Sequence, residues 1–371
     1  MKLTFCAPCI FGLEGLCANE FKFLGLDNVR AENGRVLFEG DFSAMAKANI
    51  HSRYAERIQI LMGEFHADTF DDLFEGVKAL EWESFIGISD AFPVKGRCLN
   101  SVLMSVPDCQ KIIKKAIVSR LSQRYMLSWF EETGPVRQVQ FLLMNNRVSV
   151  LLDTSGAGLH KRGYRAQANE APIKETLAAA MAELSGVRAN HFVTDPMCGS
   201  GTILIEASMK AIRMAPGLKR YFACERWSCV PKEIFARERE EAQAQIRTDA
   251  SFAAEGFDID GEALQIAEQN ARLAGVSDRI HFQRRDIADF VPAEGYQTVI
   301  TNPPYGERLL DVREAETLYR VMGERFVRLH GKRYTIITPD DDFEKIFGRK
   351  ADKRRKTYNG TLKCQIYMYF K

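Results

Sequence analysis

The sequence of 371 residues predicts an α/β fold in its C-terminal half, preceded by two smaller α+β units. Three observations predict it. A short apolar strand, His191–Thr194, runs into Asp195-Pro196-Met197-Cys198-Gly199-Ser200-Gly201 and then a helix from Thr202, which is a nucleotide-type first βα unit. Later strand signals end in turn on Asp258, on Asp286 and on Thr301-Asn302-Pro303-Pro304-Tyr305. The first 65 residues alternate as β-α-β-β-α-β, the order of a ferredoxin-like unit.

Size and composition bound the rest. The chain is too long for one ordinary core, so two or three domains are expected. A hydrophobic fraction of 46% and a charged fraction of 27% are those of a globular protein, with no apolar run near the length of a membrane span. The N-terminus soon reaches Glu14 and Glu20, so no signal peptide is expected. Nine cysteines, an odd number spread along the chain, suggest reduced thiols and a cytoplasmic location. Cys6-x-x-Cys9 has no second pair at zinc spacing and reads as buried thiols; with no histidine pair at ligand spacing, no metal is expected. The net charge is only +2, so a nucleic-acid surface would need local clusters of charge.

In chain order, strands at Lys2–Ile10, Val29–Glu32, Arg35–Glu39 and Arg57–Phe65 and helices at Gly12–Leu24 and Asp41–Arg53 make the first unit, residues 1–65. Asn33-Gly34 marks its hairpin. The second unit, residues 66–155, holds helices Asp68–Leu80 and Val106–Arg124, a strand Phe92–Leu99, and a hairpin of Val136–Met144 and Arg147–Leu152 about Asn145-Asn146. On its long helix, Lys111, Lys114 and Lys115 fall mostly off the apolar face, as a solvated or an RNA-facing surface would have them. A joint at 153–171 interleaves glycines with Lys161, Arg162 and Arg165, which suits contact with phosphates.

The third unit, residues 156–371, carries the chemistry. A helix is expected over Pro172–Leu184. A dinucleotide fingerprint would place a third glycine where Leu204 stands, so the turn suits a ligand with an amino-acid moiety and no pyrophosphate. Asp258 closes the strand Ala254–Ile259, where a carboxylate can accept ribose hydroxyls. Between the two strands, an excess at about 216–247 with Glu225-Arg226-Trp227 either shapes a substrate wall or packs. A helix over Ala263–Leu273 ends at Gly275; Asp286 and Ile287 follow the strand Ile280–Gln283 and can hold an adenine by its amine and its face. The Asn-Pro-Pro-Tyr turn, forced out of the sheet by two prolines, offers an amide, free carbonyls and a ring to a planar amine.

With Leu159–Arg165, Asp195–Gly201, Phe257–Asp260, Asn302–Leu309 and Tyr358–Cys364, the whole chain resembles the THUMP-domain class I S-adenosylmethionine-dependent RNA guanine-N2 methyltransferases. The resemblance is to the N-terminal half of the bacterial 23S rRNA enzyme of that group. It implies a ferredoxin-like unit, a THUMP RNA-binding unit and a Rossmann-like domain with a seven-stranded, mostly parallel sheet whose last two strands are antiparallel. The pair Lys356–Asn359 and Thr361–Phe370 about Asn359-Gly360 can supply those two.

The resemblance also implies roles. Asp195, Gly199 and Gly201 would line the methionine part of S-adenosyl-L-methionine, Asp258 would bind its ribose, and Asp286 with Ile287 its adenine. Pro196, Cys198, Thr202 and Ile259 would also belong to the cofactor site. Asn302, Pro303, Pro304 and Tyr305 would be catalytic, and RNA the partner, most simply 23S rRNA. tRNA guanine-N2, DNA adenine-N6 and protein-glutamine methylation use the same kind of turn. An RNA-binding ribosome-assembly factor is the non-enzymatic alternative. Lys345, Arg349, Lys350, Lys353, Arg354, Arg355 and Lys356 read as a second phosphate surface or a solvated loop.

Overall fold

The structure is a computed structural model that describes residues 2–165, 173–305, 312–326 and 330–370. Two seven-stranded sheets organise it. The first begins with β1 (Leu3–Pro8), α1 (Glu14–Phe23), β2 (Asp27–Glu32), β3 (Arg35–Gly40), α2 (Phe42–His51) and β4 (Gln59–His66). Asp41 starts α2 by accepting the amides of Ser43 and Ala44 at 2.9 and 3.0 Å. The order β2-β3-β1-β4, antiparallel throughout, is the expected ferredoxin-like arrangement. Cys6 and Cys9 are buried within it, and burial pushes the Cys6 thiol up to about 12.

The next unit does not start a new sheet. It holds α3 (Phe70–Lys78), β5 (Val94–Leu99), α4 (Val106–Tyr125), β6 (Val139–Met144) and β7 (Arg147–Asp153), and β7 adds antiparallel to β4. The order therefore runs β2-β3-β1-β4-β7-β6-β5 as one surface. β4 has two free edges to pair, and its pairing with β7 from Gln59↔Asp153 to His66↔Arg147 leaves neither exposed. Thr69 and Asp72 form a capping box for α3, and Asn145 and Asn146, at φ 52° and 62°, make the tight β6–β7 turn.

The second sheet has the order β10-β9-β8-β11-β12-β14-β13. Its elements are α5 (Glu175–Leu184), β8 (Phe192–Asp195), α6 (Thr202–Ala211), α7 (Lys232–Ala244), β9 (Ala253–Asp258), α8 (Gly261–Ala274), β10 (Ile280–Arg284), β11 (Gln297–Thr301), α9 (Val312–Arg325), β12 (Lys332–Thr338), α10 (Phe343–Phe347), β13 (Lys353–Asn359) and β14 (Leu362–Tyr369). β10, β9, β8, β11 and β12 are parallel neighbours. β14 is antiparallel to both β12 and β13, so β14 alone is reversed. Pro172 of the expected helix and residues 306–309 of the expected family motif lie outside the described residues, as does the end of the joint, 166–171.

The segment between α6 and β9 packs on the N-terminal half. Gly217 N donates to Ile50 O at 2.8 Å, and Arg220 donates to the carbonyls of Ala157, Gly158 and Lys161. Trp227 is buried, its indole N–H on Val136 O at 3.3 Å and its ring 4.7 Å from the Arg137 guanidinium. Of the two readings left open for this insertion, packing is the one the contacts bear out. Among the described residues, no helix is long and apolar enough to cross a membrane.

Candidate active site

β8 delivers Asp195 to the carboxyl edge of the parallel sheet, where neighbouring strands diverge and leave a crevice. The chain then turns through Gly199 at φ 50° and Gly201 at φ 77° before α6 begins at Thr202. A Cβ at Gly201 would stand 3.1 Å from Ala267 Cβ and from the Phe282 ring, so this glycine serves a left-handed turn against packed neighbours. The turn is tied to the next strand: Cys198 N donates to Phe257 O, and Gly199 N to Asp258 Oδ2, both at 2.8 Å.

Asp195 is buried and accepts the Met197 amide at 3.2 Å. Burial, with the Asp258 carboxylate adding repulsion, pushes its carboxyl up to about 7. Asp258 also accepts the Asp260 amide at 3.0 Å, and Asp286 accepts the Ala288 amide at 2.8 Å. These amide bonds fix each carboxylate while leaving lone pairs for a ligand.

The strand ends enclose a cleft of about 540 Å³. Asp195, Pro196, Cys198, Gly199, Thr202, Asp258, Ile259, Asp286, Ile287, Asn302 and Pro304 all line it, bringing together most of the residues the sequence singled out. Gly201, Pro303 and Tyr305 are not in its wall. Gly201 acts through the turn. Tyr305 is partly buried against the core and its hydroxyl accepts from Asn359 Nδ2 at 2.7 Å. The sequence reading missed Arg285, whose guanidinium lies 4.0 Å from the Phe257 ring, and the far wall of Thr317, Leu318 and Val321 on α9. Apolar residues spaced as Tyr319, Met322 and Phe326 are would have marked that helix.

Asn302 follows β11 directly. Its side-chain Oδ1 is buried and has no hydrogen-bond partner among the described residues. A buried amide oxygen without a donor costs about 1–3 kcal/mol. At the wall of a cleft, such an acceptor is available to a ligand or to water.

The cations divide. Lys111, Lys115 and Lys161 are exposed. Lys114 lies 3.4 Å from the Phe92 ring and pairs with Glu132, so it braces its own unit. Arg162 is buried, paired with Glu206 and donating to the carbonyls of Leu159, Ser52 and Arg53. Arg165 donates to Thr202 Oγ1 at 2.7 Å and to Ile173 O at 2.9 Å. Phosphate contact by Arg162 and Arg165 is therefore corrected: their guanidinium groups bind the protein, because the joint folds inward against α6. In the other cluster, Arg349 is stacked among Tyr334, Phe347 and Tyr369, Arg354 pairs with Glu344, and Arg355 donates to Gly12 O. Lys345, Lys350, Lys353 and Lys356 are exposed.

Residues 162–368 match the model of the RMKL-like methyltransferase domain, residues 4–59 the RlmL ferredoxin-like domain, and residues 67–153 the THUMP domain. The chain is 41% identical to the "Putative RNA methyltransferase YpsC" of Bacillus subtilis (strain 168), covering 100% of this chain and 96% of that protein. It is 33% identical to the ribosomal RNA large subunit methyltransferase K/L of Psychromonas ingrahamii, covering 99% of this chain and 50% of that protein, and so spans half its length. The crystal structure of "SMU.472, a putative methyltransferase complexed with SAH" superposes with a TM-score of 0.94 at 42% identity, covering 100% of this chain and 98% of that one. The chain belongs to the RMKL-like methyltransferase family.

Proposed function

We propose that this protein methylates the exocyclic N2 amine of a guanosine in RNA, using S-adenosyl-L-methionine, with 23S rRNA the first substrate to examine. The observation that carries the reading is the buried Oδ1 of Asn302, without a donor among the described residues, on a cleft whose walls also hold Asp195, Asp258 and Asp286. The THUMP match supports RNA, and the name of the large-subunit relative supports ribosomal RNA.

The residues fit the cofactor. Asp195 and the Cys198–Gly199 turn suit its methionine end, Asp258 its ribose hydroxyls, and Asp286 with Ile287 its adenine. When bound, the cofactor supplies an electrophilic methyl carbon on a sulfonium. Everything else is positioning by the protein. Guanine N2 is a weak nucleophile because its lone pair is delocalised into the ring. Asn302 Oδ1 and the Pro303 carbonyl accept hydrogen bonds from the two amine hydrogens, which draws the nitrogen toward tetrahedral geometry and directs its lone pair; after the methyl group has moved, the nitrogen's surplus proton passes to water. Both acceptors are fixed before the substrate arrives, since two prolines stiffen the turn and Asn359 holds Tyr305. The partly buried Tyr305 ring stacks on the extruded base, a contact of about 1–3 kcal/mol.

The test is methyl transfer from labelled S-adenosylmethionine to total RNA, total DNA and protein from cells lacking this chain, followed by mapping of N2-methylguanosine. Label in rRNA guanosine is the expected result. Label in tRNA moves the substrate within the same reaction. Label only in DNA adenine or in protein glutamine overturns the reading, and so does a chain that binds RNA yet transfers no methyl group. Ribosomal RNA as substrate also places the protein in the cytoplasm, in keeping with its nine free thiols.

A further inference from the structure

The segment Tyr358–Cys364, singled out in the sequence, is not used up by the chemistry above. Asn359 is, because it holds Tyr305. Its neighbour Tyr358 points elsewhere: it is 41% exposed and meets Phe11, itself 51% exposed, with ring centroids 6.2 Å apart and an interplanar angle of 75°. The two rings come from opposite ends of the chain. Their meeting is built into the backbone, since Gly12 at φ 87° passes so close to β13 that a Cβ there would stand 2.2 Å from Lys356 O. Arg355 then donates to Gly12 O at 2.7 Å.

Exposed aromatic surface is costly in water unless something covers it. The surroundings say what kind of partner does. Residues 353–363 contain five cations and no carboxylate. Of these, Lys353, Lys356 and Lys363 are exposed, and Lys363 stands directly across the hairpin from Tyr358. Because the two rings meet edge to face, they do not cover each other as a stack would. Aromatic faces flanked by ammonium groups match a single-stranded nucleic acid, which offers flat bases and phosphates together. Tyr358 is next in β13 to Asn359, so the patch and the contact that holds Tyr305 lie at the same end of one hairpin, on opposite faces of its strands.

We propose that Phe11 and Tyr358, flanked by Lys356 and Lys363, form a stacking platform for an unpaired nucleotide near the one that bears the acceptor amine in RNA. This rests on the RNA reading above. The platform grips RNA while the target base is out of its stack, and it joins the N-terminal unit to the catalytic turn through the substrate.

The experiment uses the full chain and a fluorescein-labelled single-stranded RNA of about 12 nucleotides as the anisotropy probe, with methyl transfer to total RNA and calorimetric binding of S-adenosylhomocysteine alongside. Phe11→Ala and Tyr358→Ala should each weaken oligonucleotide binding roughly 5- to 100-fold, the range of one lost base stack. Both should raise KM for RNA more than they lower kcat and leave S-adenosylhomocysteine binding unchanged. Tyr358→Phe should keep wild-type binding, because the ring and not the hydroxyl is used. Lys363→Glu, an exposed change that spares the core, should weaken RNA binding and flatten its salt dependence. Wild-type affinity in the Phe11→Ala/Tyr358→Ala double variant overturns the platform, and so does a Tyr358→Phe as defective as Tyr358→Ala. Loss of self-association or of peptide binding with RNA affinity intact makes the patch a protein interface and also overturns it. A wild-type chain that methylates no RNA overturns the underlying reading instead.

Discussion

The amide of Gly199 donates to Asp258 Oδ2 at 2.8 Å, joining the glycine turn after one strand to the carboxylate that ends the next. The proposed methionine and ribose ends of the cleft are thus one hydrogen-bonded unit, so a change at Asp258 is felt at both. Asp258→Ala should weaken S-adenosylhomocysteine roughly 10- to 100-fold in calorimetry, in line with losing a charged acceptor and leaving the Gly199 amide without its partner. Asp258→Asn should be nearly as poor, because an amide nitrogen rotated toward Gly199 N–H meets another donor. Wild-type affinity in either variant would remove Asp258 from the ribose site.

Asn302 should separate chemistry from binding. Asn302→Ala deletes the buried acceptor and leaves Asp195, Asp258 and Asp286 in place, so kcat for methyl transfer should drop about 10²–10³-fold or more. S-adenosylhomocysteine binding should stay within about a factor of two of wild type, because the three proposed cofactor carboxylates are retained. Single-turnover transfer and calorimetry together check the separation.

Asp195 predicts a pH effect of definite sign. Its carboxyl sits at about 7 because burial penalises the charge. In the unfolded chain it titrates near the ordinary aspartate value, so the folded state binds the proton more tightly. Its contribution to stability is present below roughly pH 4 and is lost as pH rises through about 7. Asp195→Asn should therefore raise the thermal midpoint of the unliganded protein at pH 8 and leave it nearly unchanged at pH 4. On the proposed cofactor site, binding runs the other way: the ammonium group of the methionine end would favour the ionised form. S-adenosylhomocysteine affinity should climb between about pH 6 and pH 8, with proton release near pH 6 that is visible as a dependence of calorimetric heat on buffer ionisation enthalpy.

The buried Arg162–Glu206 pair makes a prediction about stability. Removing one partner strands the other charge in the interior, so Arg162→Ala should destabilise by about 3–5 kcal/mol. The salt dependence of RNA binding should not change. In contrast, Lys161→Ala, at an exposed position in the same motif, should leave the thermal midpoint alone. Denaturant melts and salt titrations of the two variants test this opposition.

Much of the site was readable because each of its parts is a strand end with a local signature. Glycines with positive φ, an aspartate after an apolar run and a Pro-Pro stop are chain-local facts, and Asp195, Gly199, Asp258, Asp286 and Asn302 follow from them. The wall on α9 was not read, since its residues look like any amphipathic helix until the sheet order places them opposite Asp286. The cations were the least legible. Lys161 and Arg162 are neighbours of the same charge, yet one faces water and the other is paired under α6, and only the path of the joint decides. The fusion of two N-terminal units through β4 and β7 was hidden for a similar reason: strand patterns announce that an edge exists, not which edge it will meet.

That shared sheet, with the Arg220 and Trp227 contacts across the joint, has a mechanical consequence. The N-terminal half is not a tethered arm that searches for RNA and swings it inward. It is a caliper with set jaws. Any RNA that rests on the N-terminal sheet while offering a base to Asn302 must itself span that separation. Selection among target nucleotides then becomes a question of length and bend in the RNA, answered before any base edge is read.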